Sequence, residues 1–192
     1  MSQTMAEFRE TFVNNPEETD VCFLVGVNME KMYAYKYMLS SASEYFKQMF
    51  IDHSIKESPN EIIIPDFEPP VFLEILRFLY VFKVNVTDEI LIQLFKAADK
   101  YSIYEVKQHC VDVAVNLFYD NKQVEWTGNL KLLNKDQLKD FLSMCRSKCS
   151  YNDLQAIIEI CKSNFMDENN TAWNFEISSI VNDFSVLSIN KQ

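Results

Sequence analysis

Apolar and polar positions alternate along the chain in periods that change from segment to segment. Met5, Phe8, Phe12 and Val13 recur at helical spacing and predict a short amphipathic helix over 5–13 with a bulky apolar stripe. Val21–Val25 and Met29–Tyr35 are compact apolar runs around Gly26-Val27-Asn28, the pattern of a hairpin. From Lys36 the spacing of Met38, Leu39, Ala42, Tyr45, Phe46, Met49 and Phe50 becomes helical and predicts two short helices broken near Ser40-Ser41. Glu61-Ile62-Ile63-Ile64 reads as a buried strand, ended by Pro65, which has no amide to extend a ladder. Pro69-Pro70 suits the first turn of an apolar helix through Leu79, Thr87 is placed to cap a helix running to about Lys100, and Ser102-x-x-Glu105 has capping-box form for a helix to about Phe118.

Beyond Tyr119 the signal weakens, then returns as two amphipathic segments, Asn134 to about Cys145 and Ser150 to Phe165. The expected organisation is an α+β domain over 5–118, a helical extension over 119–165, and a tail over 166–192 whose pattern leaves helix and loop open. The tyrosines at 33, 35 and 37 are expected to pack one face of the hairpin with their hydroxyls toward solvent.

Composition narrows the function. A net charge of −10 argues against a direct nucleic-acid surface, because phosphate binding draws its affinity from clustered Lys and Arg. Two glycines, Gly26 and Gly128, cannot form a phosphate-cradling loop. The acidic and polar first residues lack the apolar core of a signal peptide, and no apolar run has membrane-spanning length. Five irregularly spaced cysteines suit reduced thiols, so a soluble protein of the cytoplasm or nucleus is expected. His109-Cys110 and Cys145-x-x-x-Cys149 have no recognised zinc spacing and read as core cysteines. Neither His53 nor His109 stands beside a serine or cysteine in an elbow-like turn, so no catalytic residue, metal or cofactor is expected.

Three stretches carry a family resemblance: Asp20-Val21-Cys22-Phe23-Leu24-Val25; Tyr33-Ala34-Tyr35-Lys36-Tyr37-Met38-Leu39-Ser40; and Ser43-x-x-Phe46-x-x-Met49-Phe50. With Ile62-x-Ile64-x-Asp66, Pro70-x-Phe72-x-x-Ile75-Leu76-x-Phe78-Leu79-Tyr80 and Leu94-x-x-Ala97-Ala98-Asp99-Lys100-Tyr101, they resemble the BTB/POZ signature over about 5–118. Residues 119–165, best at Asn134-x-x-Gln137-Leu138-Lys139, are more loosely similar to the BACK or 3-box helical pairs of speckle-type and kelch-type ubiquitin-ligase adaptors. No kelch repeat, zinc finger or MATH-like domain is visible in the chain.

The resemblance implies a BTB/POZ fold and a homodimer through Met5, Phe8 and Phe12, with Asp20 and Lys36 in a charged pocket at the interface. Ala34-Tyr35-Lys36 stands where the family usually has Ala-His followed by a basic residue; a capping role for Asp20 and a solvated Lys36 are the competing structural reading. Ile55-Lys56-Glu57 resembles the hydrophobic-x-Glu motif of cullin-3-binding members and implies neighbouring contacts at Phe50, Asp52, His53 and Tyr80. The implied function is an adaptor that dimerises and recruits a cullin-3 scaffold, its substrate or hetero-BTB partner unknown. The alternatives are a non-ligase scaffold for transcriptional or cytoskeletal complexes and an inhibitor of other BTB adaptors.

Overall fold

The computed structural model describes residues 4–17, 19–54, 61–120 and 124–165. The chain divides into two compact units, Met1–Cys110 and Val111–Gln192.

In the first unit, α1 (Met5–Glu10) precedes the hairpin β1 (Val21–Val25) and β2 (Glu30–Ala34), then α2 (Lys36–Ala42), α3 (Glu44–Ser54), β3 (Glu61–Ile64), α4 (Pro69–Val81) and α5 (Leu91–Lys100). The next helix, α6 (Tyr104–Tyr119), crosses the division between the units. The sheet order is β2-β1-β3, with β1 antiparallel to β2 and parallel to β3, in a register that pairs Phe23 with Met32 and with Ile62. This is the expected α+β class.

Inward residues of the sheet, Phe23, Val25, Met32, Ala34, Ile62 and Ile64, are buried. They belong to a core shared with α4, whose Phe72, Ile75 and Leu76 are completely covered. Phe23, Phe46, Phe72 and Tyr101 form its aromatic centre; Phe46 stacks on Tyr101 at 4.8 Å and Phe23 meets Phe72 edge-on at 5.0 Å. Full burial of one such ring is worth about 1.5–3 kcal/mol, so this cluster outweighs any single surface interaction.

Local chemistry moved several element ends. The first helix stops at Glu10 rather than Val13, and Asn14 takes φ 52°, from where its side-chain oxygen accepts the Tyr33 amide at 2.9 Å on the outer edge of β2. Met29 belongs to the turn, not the strand, with φ 53°. The break between α2 and α3 falls at Ser43, whose extended backbone (φ −146°, ψ 122°) frees its hydroxyl to donate to the Tyr101 carbonyl at 2.8 Å.

The third strand is half-exposed rather than buried: its side chains alternate, leaving Ile63 54% exposed at the sheet edge. The helix expected from Thr87 begins at Leu91, after Ile90. Ser102 does not cap α6. It takes φ 57° and donates its amide to Asp99 at 3.1 Å, while Ile103 donates to Ala98 at 2.8 Å, which is a Schellman closure of α5. Satisfying the α5 carbonyls outcompeted the capping box.

The second unit continues with α7 (Val124–Asn129), a 3-10 turn (Leu130–Leu132), α8 (Lys135–Arg146) and α9 (Tyr151–Phe165). Asn134 and Gln137 form a reciprocal capping box at the start of α8, which buries Leu138, Phe141 and Leu142. On α9, Leu154, Ile157 and Ile158 are buried. The tail, 166–192, lies outside the described residues.

Candidate protein-interaction surfaces

The N-terminal helix is the least embedded element of the first unit. Thr4 accepts the Glu7 amide at 3.2 Å, and the Glu7 carboxylate accepts the Thr4 amide at 2.7 Å, closing a capping box around a helix of only six residues. None of its residues is buried; Met5 is 71% and Phe8 49% exposed. Phe12, half-buried in the turn that follows, meets the Phe8 ring edge-on at 5.0 Å. An apolar stripe held in water by a formed helix is costly unless another surface covers it.

One guanidinium ties this helix to α4. Arg77 Nε donates to Glu10 Oε1 at 2.8 Å, and Arg77 Nη1 donates to Glu74 Oε1. Glu74 is buried, and its other carboxylate oxygen accepts the Asn85 amide at 2.7 Å. Burial alone would lower the Arg77 pKa, but the hydrogen bond to Glu10 and the charge of Glu74 raise it above its ordinary value.

The expected charged pair sits at the start of α2. Asp20 Oδ1 accepts the Lys36 backbone amide at 2.7 Å, satisfying an orphan donor at the helix end, while the Asp20 amide donates to Ala34 at 3.3 Å. Asp20 is exposed and Lys36 half-buried. Between α1, α2, the end of α4 and the α5–α6 link lies a half-open groove of about 470 Å³, with Met38, Phe78 and Phe82 in its wall and Arg9 and Glu105 at its border.

Around the end of α3, Phe50 is half-buried against Phe46 and Phe23, at 6.2 and 6.4 Å, and exposed Asp52 accepts from the Gln48 amide side chain at 3.0 Å. His53 lies in the last turn of α3, while Ile55 and Glu57 fall outside the described residues. Tyr80 corrects the expected set. It is 2% exposed and its hydroxyl accepts the Tyr35 amide at 2.8 Å, so it braces the start of α2 from inside and presents no surface. Tyr33 and Tyr35 are half-buried, while Tyr37 stands exposed on α2 rather than on the hairpin.

Sequence reading missed Ile51, exposed beside Phe50, and the Glu10–Arg77–Glu74 bridge. Only the i,i+3 spacing of Glu74 and Arg77 on a helix hinted at the latter. Among the described residues no group of three or more His, Cys, Asp or Glu could hold a metal ion, and no helix is long and apolar enough to cross a membrane. Burial pushes the Cys110 thiol far above the ordinary range, which disfavours the thiolate.

A short mixed sheet packed with helices, and a formed helix that carries its apolar side chains into solvent, define a protein-interaction module of the α+β class. The family model for the BTB/POZ domain matches residues 9–116, and the chain belongs to that family.

Among its relatives, human BTB/POZ domain-containing protein 19 is 25% identical over 107 residues, covering 56% of this chain and 37% of that protein. The Arabidopsis thaliana ARM repeat protein interacting with ABF2 is 35% identical over 101 residues, 53% of this chain and 14% of the relative. Zebrafish BTB/POZ domain-containing protein 6-A is 31% identical over 110 residues, 56% of this chain and 20% of the relative. The match thus spans little more than a third of the human relative and a fifth or less of the other two. Among solved structures, the BTB domain of zebrafish PATZ1 is 28% identical with a TM-score of 0.46, covering 59% of this chain and 95% of that one. The BTB domain of human gigaxonin is 20% identical with a TM-score of 0.43, covering 57% and 83%.

Proposed function

We propose that this chain is a homodimerising adaptor that brings a cullin-3 scaffold to a partner held elsewhere on the chain. The observation that carries the dimer is the α1 stripe: Met5 and Phe8 are presented on a formed, capped helix with no buried residue. A six-residue helix cannot supply the roughly 600–1,000 Å² per partner of a stable interface, so the start of α2, with Asp20 and Lys36, completes it. A two-fold arrangement needs only one such surface, because the patch is then its own complement.

Recruitment of the scaffold rests on the family resemblance at Ile55-Lys56-Glu57, supported by the exposed end of α3, where Ile51 and Asp52 present an apolar and an acidic contact near Phe50. The helical region after 118 is the place for a substrate or a second BTB chain, and the cytoplasm or nucleus is the compartment for such an assembly.

Sedimentation of the wild type and Phe8→Asp tests the first half. The expected result is a dimer that the substitution converts to monomer, and a wild-type monomer at micromolar concentration overturns it. Titration with a purified cullin-3 N-terminal fragment tests the second, with Ile55→Asp and Glu57→Lys expected to weaken binding at least tenfold. Absence of wild-type binding leaves a non-ligase scaffold as the function.

A further inference from the structure

We propose that Arg77 is a positioning residue for partner contact: it clamps α1 onto α4 by bridging Glu10 to the buried Glu74, and so sets how much of the protein presents Met5 and Phe8 in a binding-ready arrangement. This rests on the reading of α1 as the self-association surface.

Three observations converge on it. The helix buries none of its own side chains, so little hydrophobic energy fastens it to the unit. An isolated helix of this length is marginal in water. Against that background Glu10–Arg77, at 2.8 Å with side-chain exposures of 44% and 28%, is the one ion pair of α1 among the described residues.

The bridge is also directional. Glu74 sits at 8% side-chain exposure and is held from behind by the Asn85 amide, so it cannot swing out to follow the helix. Arg77 therefore has a fixed end and a free end. Its Nη1 stays on Glu74 while Nε reaches Glu10, two separate nitrogens for two carboxylates. A lysine ammonium at this position is a single compact charge that would remain with the buried carboxylate and release the helix.

Partner binding to a protein whose competent state is only partly populated is weakened by that fraction. Loss of a half-exposed pair lowers the docking equilibrium constant of α1 about threefold; for a helix docked about half the time the docked population falls about twofold, and because a dimer needs two docked helices, association weakens about fourfold.

The test uses the full chain. Amide hydrogen exchange over residues 5–13 is measured in dilute protein, and the self-association constant by sedimentation, for wild type, Glu10→Gln and Arg77→Lys. Glu44→Gln, which removes the exposed Glu44–Lys47 pair, is the control.

Glu10→Gln leaves the Arg77–Glu74 contact in place, so it keeps the test valid even if Arg77→Lys disturbs folding. Both variants are expected to speed exchange in α1 about 1.5-fold and weaken association about fourfold, the control changing neither. Unchanged exchange overturns the clamp, and faster exchange with unchanged association overturns its role in partner contact. A wild-type chain that never self-associates sinks the homodimer reading and the partner-contact role with it, while exchange still reports on the clamp separately.

Discussion

Two buried tyrosines invite the same substitution with opposite results. Tyr80 and Tyr101 are 2% and 0% exposed, and both rings are packed in the core of the first unit. The Tyr80 hydroxyl accepts the Tyr35 amide at 2.8 Å, whereas the Tyr101 hydroxyl has no hydrogen-bond partner among the described residues. Burial raises the pKa of both phenols, so each is a neutral hydroxyl at physiological pH.

Tyr80→Phe removes an acceptor and orphans a half-buried amide, a loss of about 1–2 kcal/mol. Tyr101→Phe removes a group that left water without compensation, and the desolvation relieved is about 1–3 kcal/mol, offset in part by a void the size of one oxygen. The expected outcome is a fall in Tm of about 2–8 °C for Tyr80→Phe and an unchanged or higher Tm for Tyr101→Phe, since each kcal/mol moves a chain of this size by about 2–4 °C. Urea titration of the full chain checks the order independently, through the midpoint at constant slope. If Tyr101→Phe destabilises as much as Tyr80→Phe, the hydroxyl has a partner in solution and the reasoning fails.

Gly26→Ala forces a Cβ onto a residue at φ 70°, where it would meet Pro69 Cδ at 3.1 Å; a cost of about 1–2 kcal/mol is expected, read as a lower urea midpoint. The Glu7 carboxyl lies below its ordinary range, first because it accepts the Thr4 backbone amide. A depressed folded-state pKa gives a contribution present above the ordinary glutamate pKa and lost as pH falls through the depressed one, so α1 amides should lose exchange protection on acidification while Glu7→Gln flattens that dependence. Cys110 should react with a thiol reagent only on unfolding, whereas Cys22, half-buried with a thiol raised chiefly by burial, should react slowly in the native state; rapid native labelling of Cys110 would contradict its burial.

The elements were legible wherever a hydrophobic period ran unbroken, as in β1, α4 and α8, because burial of one face dominates their energetics. Their ends were not, because ends are decided by polar groups that choose among partners. Ser102 looked like a helix start, but the unsatisfied carbonyls of α5 took its amide and that of Ile103. Ile63 looked buried in an apolar run, yet β3 lies at the edge of the sheet, a position set by pairing with β1 that no local window contains.

The site divides the same way. The α1 stripe was readable from spacing alone, but the role of Tyr80 was not. Its hydroxyl meets an amide 45 positions away, and an aromatic side chain at a helix end looks the same in sequence whether it faces solvent or the interior.

Because β3 pairs with β1 in parallel, it joins the sheet only after α2 and α3 have been made. A nascent chain leaving the ribosome first offers β1 and β2, a two-stranded ribbon that is marginal by itself, with Phe23 and Val25 uncovered until α3, β3 and α4 have followed. Synthesis of this protein thus has a built-in interval of greasy exposure, before the ribbon meets its own core.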